Sequence, residues 1–280
     1  MKWDIITVLY EQELTSCETW RTLLAAAADA DVRIIAADNS DSGRIRDANR
    51  KTAAEAGICY LDMEGNHGLS AAYDRALDML FPAAGEEDPD AGAEWVITTD
   101  QDTVFPEDYL DRLREAAGRT KASVLAPVVR SGDVQISPCR LRSGRFVPCA
   151  AESLRPSEVQ GLFFVNTGLA LRSDLFRSEG LRYNEDLFLD FVDFDMVARI
   201  RQARPGSFEL LPRLVLGQHF SGAEKRAAEE DLERYRLWLQ DGKVFFDTWQ
   251  PGNASRYAGL YARGARLALR HRDARFLKKG

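Results

Sequence analysis

Histidine is scarce, three residues in 280, and the four cysteines fall at 17, 59, 139 and 149 with no CxxC spacing. Soft ligands are therefore neither paired nor close to a histidine, which argues against a zinc site. The thiols read as reduced core or surface groups, with Cys139 and Cys149 spaced to face each other across a hairpin. Long apolar runs are missing as well. The longest, residues 162–165 and 210–216, are far too short to span a bilayer. Met1-Lys2-Trp3-Asp4 leads straight into a strand-like run, without an apolar stretch and small-residue cleavage site, so no secretory signal and a cytoplasmic location are expected. The chain carries no internal repeat, no low-complexity segment and no linker long enough to force a domain split. A hydrophobic content of 45% over 280 residues is enough to bury the core of one large domain, or of one domain plus a short tail.

Net positive charge is missing except at one end. Residues 256–280 hold eight Arg/Lys (Arg256, Arg263, Arg266, Arg270, Arg272, Arg275, Lys278, Lys279) against Asp273, a balance of +7. The whole chain is −7, so the remainder carries −14. An acidic body argues against nucleic acid as a partner, and the basic end suggests attraction to a phosphate-rich surface. Leu260, Tyr261, Leu267, Leu269, Phe276 and Leu277 interleave with the basic residues there. That pattern fits a helix lying on an anionic membrane, and equally a solvated helix packed on the domain with a frayed basic end.

The first half alternates strand and helix signals. Residues 4–10 (DIITVLY), 32–37, 58–61 and 94–99 read as strands. Residues 16–30, 46–56 and 68–81 read as helices, the first with Trp20, Leu23, Leu24 and Ala27 inward and Thr15 or Ser16 as cap. Residues 83–93, acidic and glycine-rich, read as a surface loop. Strands separated by helices of this length predict right-handed βαβ units and a mostly parallel central sheet of Rossmann-like α/β type. In the second half, 123–129, a hairpin over 134–147 turning at Ser143-Gly144, 162–171 and 207–216 read as strands, and 191–203 as a helix. Two amphipathic helices, 224–246 and 254–272, complete the pattern. The expected division is a catalytic domain over 1–222, with a nucleotide-binding half to about 103 and an acceptor half beyond it, and a helical extension over 223–280.

The run Trp95-Val96-Ile97 feeds into TTDQDT, so a buried strand ends at Asp100 and Asp102. Open α/β sheets bind ligands at the carboxyl ends of their strands. Two carboxylates two residues apart make a hard-oxygen site for Mg²⁺ or Mn²⁺, which commonly also hold substrate phosphates. Asp38, at another strand end in ADNSDS, suits a nucleobase N–H or ribose hydroxyl, or an Asx turn. Asn66-His67-Gly68-Leu69-Ser70-Ala71-Ala72 enters a helix of small residues and suits either an anion or ordinary capping. In FLDFVDFD, Asp190, Asp193 and Asp195 stand among bulky apolar residues at a helix start. Acidic residues favour a first turn, yet a partly buried carboxyl is also a candidate general base. His219, at the end of the last strand-like run, is a structural residue or a metal or phosphate ligand.

The order of these parts resembles glycosyltransferase family 2, inverting enzymes of GT-A fold that move a sugar from a nucleotide-sugar. The resemblance rests on the first strand ending at Tyr10, DNS at 38–40, NHGLSAAYDRAL at 66–77, DQD at 100–102, NTGLALR at 166–172, VDFDMVAR at 192–199 and QH at 218–219. It covers roughly residues 4–220, and DQDT with FLDFVD is most similar to the rhamnosyltransferase-type members. It implies that Asp38, with Asn39, recognises the base and that Tyr10, Asn66, Gly68 and Ala71 line the nucleotide pocket. Asp100 would contact ribose or metal, Asp102 would hold the metal together with His219, and Asn166, Thr167 and Gly168 would lie on the acceptor side. Asp193 would be the general base, with Asp190 and Asp195 as sharers of that role, because the family's Glu-Asp pair falls here on Val192 and Asp193. LYEQE also departs from the family's first turn. The implied partners are a nucleotide-sugar donor, dTDP-L-rhamnose first among them, and a glycan or lipid-linked glycan acceptor in polysaccharide synthesis at the inner face of the membrane. Rival readings are a non-catalytic sugar-nucleotide binder or scaffold, and a sugar-phosphate nucleotidyltransferase. The latter would need a glycine-rich loop where Glu11-Gln12-Glu13 stands.

Overall fold

The computed structural model describes residues 1–25, 27, 31–82, 93–218 and 227–278. Its first half runs β1 (Lys2–Leu9), β2 (Val32–Asp38), α1 (Gly43–Ala56), β3 (Cys59–Asp62), α2 (Leu69–Leu80) and β4 (Ala93–Asp100). The second half adds β5 (Thr103–Val104), α3 (Tyr109–Arg119), β6 (Val124–Ser131), β7 (Val134–Ser137), a small hairpin of β8 (Cys139–Arg142) and β9 (Arg145–Pro148), and the single-turn α4 (Pro156–Val159). Then come β10 (Leu169–Arg172), the short α5 (Asp174–Arg177), α6 (Val192–Ala203), β11 (Phe208–Gln218), α7 (Ala228–Trp249) and α8 (Ala258–His271).

Strand order in the main sheet is β3-β2-β1-β4-β10-β6-β11-β5, with β7 on β6. From β3 to β4 every pairing is parallel, with Ile5 opposite both Ile34 and Ile97. Beyond β4 the sheet is mixed: β10 runs antiparallel to both neighbours, and β11 runs parallel to β6. Period-two alternation sends neighbouring side chains into two cores. Ile6, Val8 and Ile35 meet residues of α2, α6 and α7 on one face, and Trp3, Ile5 and Ile34 meet α3 and the 14–27 segment on the other. Because both faces are covered, β1 is buried at every position after Lys2.

Two segments differ from the periodicity. In place of a helix over 16–30 the described residues show a 3-10 turn at Leu14–Ser16 and a π-helical turn at Trp20–Leu24, where Ala25 N bonds Trp20 O at 3.0 Å. Tertiary bonds account for the irregularity. The Thr22 hydroxyl accepts from Phe105 N at 3.1 Å and that of Thr19 accepts from Thr103 N at 3.3 Å, tying the segment to the turn after β4. Leu23, Leu24 and Ala27 are buried as expected, while Trp20 is only half-buried. The run 162–171 forms a strand only from Leu169. Gly168 sits at φ 75° and turns its N–H to Thr98 O at 2.7 Å, so the chain enters β10 from a loop. A Cβ on Gly168 would lie 2.2 Å from Leu216 Cδ1, so glycine is needed for space as well as for φ. Most of the 83–93 loop and the 222/223 boundary lie outside the described residues. Among the described residues no helix is long and apolar enough to cross a membrane.

Candidate active site at the carboxyl edge of the sheet

β4 ends at Asp100 and β5 begins at Thr103, leaving a tight turn that three neighbours pin. Thr19 Oγ1 donates to Asp100 O, and Gln101 O accepts from Thr19 N at 3.2 Å. From beneath, Thr167 Oγ1 accepts from Asp100 N at 3.1 Å and pairs with Thr103 Oγ1 at 2.7 Å. Thr167 is held there because Thr98 bonds both its neighbours: Thr98 Oγ1 donates to Asn166 O at 2.7 Å, and Thr98 O accepts from Gly168 N. Asn166 and Thr167 are buried, and Asn166 Oδ1 accepts from Tyr183 OH at 3.1 Å. The Asn-Thr-Gly segment is therefore the floor under the Asp-x-Asp turn.

Above the floor, Gln218 Nε2 donates to Asp100 Oδ2 at 3.1 Å and to Asp102 Oδ1 at 3.3 Å, so one amide bridges both carboxylates. Burial, followed by the charge of Asp102, pushes the Asp100 carboxyl up to about 7, against the lowering bonds from Gln218 and from Tyr73 OH. Two acids converging on one donor, one of them resisting ionisation, form a set that a divalent cation would relieve. Among the described residues no third Asp, Glu, His or Cys joins them as a metal cluster, and His219 lies outside the described residues.

The ends of β1 and β2 and the start of α2 form one knot. Asn39 Oδ1 accepts from His67 N at 2.9 Å, while its Nδ2 donates to Asn66 Oδ1 at 3.0 Å and Gly68 O at 3.2 Å. Gly68, at φ 89°, gives way to Ala71 on the half-buried first turn of α2. Asp38 is fully enclosed and accepts from Ser40 N at 3.1 Å, Asn49 Nδ2 at 2.8 Å and Tyr60 OH at 3.0 Å. Its carboxylate fixes the loop from inside. Tyr10 stands at the rim, 44% exposed, with its backbone N and O paired to the Gln101 amide at 2.8 and 3.1 Å. Gln101 thus joins the loop after β1 to the Asp-x-Asp turn. Glu11 Oε1 accepts from Asp41 N and Ser42 N at 2.7 and 2.9 Å, placing a carboxylate at the entry to α1.

The three acids at the start of α6 have different surroundings. Asp195 is enclosed, accepting from Arg199 Nε at 2.5 Å and Trp249 Nε1 at 2.7 Å. Asp190 forms a two-pronged ion pair with Arg234, one arm at 2.7 Å. Asp193 is partly exposed and accepts from Phe194 N at 2.8 Å. Burial first, then the charges of Asp100 and Asp190, push its carboxyl up to about 7. The Asp193 and Asp100 carboxyls are close enough for their charges to interact. Val192, beside Asp193, is buried in the core.

Gln218, Thr19, Gln101 and Tyr73 were not singled out as site residues by sequence. Gln218 had a signal, standing beside His219 at a strand end; the others are fixed by contacts more than 25 residues away in sequence.

The comparisons agree with this geometry. The Glycosyl transferase family 2 model matches residues 4–179. The fold is similar to that of S. aureus TarS residues 1–349, at 14% identity and TM-score 0.56, covering 100% of this chain and 71% of that one. It is also similar to the mannosyltransferase PcManGT from Pyrobaculum calidifontis in complex with GDP-Man and Mn²⁺, at 15% identity and TM-score 0.58, covering 99% and 84%. A complex of TarS with UDP-GlcNAc matches at 14% identity and TM-score 0.54, covering 86% and 66%. Among curated proteins no sequence matches the chain. The fold is GT-A, a curled mixed sheet flanked by helices. The chain belongs to glycosyl transferase family 2, which makes it a glycosyltransferase.

Proposed function

We propose that the chain is an inverting, metal-dependent glycosyltransferase in which Asp193 takes the proton of the acceptor hydroxyl. The observation that carries the reading is the strand-end pair Asp100 and Asp102, bridged by Gln218, with the Asp193 carboxyl near enough to feel the charge of Asp100 and pushed up to about 7. A base so poised is half ionised near neutrality, the range in which proton abstraction is most effective. Asp190 and Asp195 are already engaged by Arg234 and by Arg199 with Trp249, which leaves Asp193 as the acid able to meet an acceptor. Direct attack by the acceptor oxygen on the anomeric carbon, with departure of the nucleoside diphosphate on the far side, inverts that centre without a covalent enzyme intermediate. Asp100 and Asp102 would hold Mg²⁺ or Mn²⁺, which supplies Lewis-acid neutralisation of the departing diphosphate. The Asn39–Asn66–Gly68 knot and Tyr10 form the nucleotide side, with Asp38 acting through the loop it braces.

dTDP-L-rhamnose is the first donor to test. UDP-GlcNAc and GDP-Man are the sugar nucleotides named with the similar structures. A glycan or lipid-linked acceptor fits a cytoplasmic enzyme peripheral to the membrane. The basic end supports that placement: Leu269 is 81% and Leu277 57% exposed, near exposed Arg266, Arg272 and Lys278. Part of that charge is balanced within the fold, because Arg256 pairs with Asp247, Arg270 with Asp231 and Arg275 with Glu229.

The test is a thermal-shift panel of nucleoside diphosphates and nucleotide-sugars with and without Mn²⁺ or Mg²⁺, on wild type and Asp102→Ala. Ligands that bind the native state raise its melting temperature by mass action. A metal-dependent shift with one nucleotide, abolished in Asp102→Ala, is the expected result. An undiminished shift in the variant removes Asp102 from the metal site, and no shift with any donor overturns the reading.

A further inference from the structure

The segment that leads into Asp193 has almost no regular structure of its own, yet one stripe of α7 grips it. Asp241, fully buried, accepts three consecutive amides: Phe188 N at 3.2 Å, Leu189 N at 2.9 Å and Asp190 N at 2.8 Å. Two turns back, Arg234 holds the Asp190 carboxylate. Between them Trp238 lies 5.6 Å from the Phe191 ring, and Phe245 stacks on that ring at 5.5 Å. Gly242 leaves room for Leu260 and for the edge of that ring, since a Cβ there would come 2.6 Å from Leu260 Cδ2 and 3.1 Å from Phe191 Cε2. Positions 234, 238, 241, 242 and 245 share one helical face. Phe191 itself sits at φ 64° and ψ 0°, a left-handed conformation that a bulky residue adopts only when its surroundings impose it.

From the opposite side, the donor loop closes the clamp. Leu69 N donates to Phe188 O at 2.6 Å, and a Cβ on Gly68 would lie 2.7 Å from that oxygen. Residues 188–191 are therefore fixed between the start of α2 and the middle of α7, and Asp193 follows two residues later.

We infer that α7, beyond the family-matched region, acts as a positioning element for transfer: Asp241, with Arg234, sets the 188–191 segment and through it the place of Asp193. Asp241 never touches substrate. A carboxylate buried against three amides is a costly way to hold a loop unless its exact course matters, because burial disfavours its charged form. The inference rests on the transfer reading above, and its test separates the two.

In the full chain, Asp241→Asn keeps one acceptor oxygen and replaces the other by an NH2 group that cannot accept, leaving shape unchanged. Amide hydrogen exchange within 188–190 is expected to rise at least about tenfold at one or more positions, since the single remaining oxygen cannot serve both acceptor sites and an NH2 group faces an N–H. With a working donor, kcat is expected to fall by about 10²-fold, the effect of roughly ångström-scale misplacement, while donor KM stays within about twofold. Leu232→Ala, a buried truncation on the same helix away from the stripe, serves as control: it lowers the melting temperature but keeps kcat at temperatures where it is folded. Equal kcat losses in the two variants, or donor KM rising in step with the fall in kcat, overturn the positioning role. Unchanged exchange in Asp241→Asn overturns the brace itself, whatever becomes of catalysis. A wild type that transfers from no donor overturns the transfer reading and the catalytic meaning of the brace, while the exchange result still decides whether the brace exists.

Discussion

Replacing Asp193 by Asn tests the base from two sides, and the two effects have opposite signs. In the folded chain the carboxyl is pushed from its ordinary 3.8 to about 7, chiefly by burial. Above pH 4 the unfolded chain has released this proton while the native chain still keeps it. Raising the pH from 4 toward 7 therefore favours the unfolded chain, and the loss levels off once the native group ionises as well. The cost is small at pH 4, about 1.5 kcal/mol at pH 5 and near its full value, about 4 kcal/mol, by pH 8. Asn does not ionise, and its Oδ1 can still accept from Phe194 N, so the variant escapes the cost and keeps the bond. Solvent reaches part of Asp193, which reduces the effect. The expected gain of Asp193→Asn over wild type is thus about 2 kcal/mol larger at pH 8 than at pH 5.

Urea unfolding at the two pH values measures it, with an unchanged slope confirming that only stability moved. Asp74 is also pushed up to about 7 by burial, but it is present in both proteins and cancels. Relief of the Asp100 charge by the substitution acts in the same direction. Activity should move the other way: wild-type transfer rises with pH around a midpoint near 7, and Asp193→Asn loses roughly 10²- to 10⁴-fold. A stability difference flat between pH 5 and 8 refutes the poised carboxyl. Near wild-type turnover in the variant removes Asp193 from the chemistry, whatever its titration.

Two further outcomes follow from other parts of the molecule. Thr167→Val keeps the shape but leaves Asp100 N and Thr103 Oγ1 short of a partner in a buried site. A loss of about 2–4 kcal/mol in urea unfolding is expected, with a weaker metal-dependent nucleotide shift; a neutral variant would show that the floor does not hold the turn. Removing residues 256–280 should abolish sedimentation with anionic vesicles, and equal binding by both chains removes the membrane role of the basic end.

The α/β class was legible because the parallel strands are buried on both faces and read as short apolar runs at regular spacing, as in DIITVLY and EWVITT. The placement of Asp100 and Asp102 at a strand end was legible for the same reason. Local patterning misled where distant side chains decide the backbone. Thr19 and Thr22 look like ordinary helix residues until the 100–105 turn claims their hydroxyls. Asp38 shows the same limit at the site. A carboxylate after a strand reads as ligand-facing, yet Asn49 from α1 and Tyr60 from β3 enclose it. Sequence carries no record of which distant donor will arrive. Asp241 did leave a trace: an acid between Leu239 and Phe245 on an apolar stripe is costly unless donors meet it, and here three amides do.

The family match ends at residue 179, before Asp193, Gln218 and α7. That boundary has a physical sense. On the proposed reading, the nucleotide side is built from a strand-end acid turn, a helix start and a loop of hydrogen-bonded side chains, all but Gln218 within the matched region. Placing a base against an acceptor depends on the acceptor, so the elements that do it are free to differ. In this chain the two parts are not independent. Gln218, on the last strand, donates to both acids of the Asp-x-Asp turn, and Leu69 N–H at the start of α2 reaches Phe188 O in the segment before Asp193. One 2.6 Å hydrogen bond thus joins the start of α2 to the segment before Asp193, with the Asp241 carboxylate behind it.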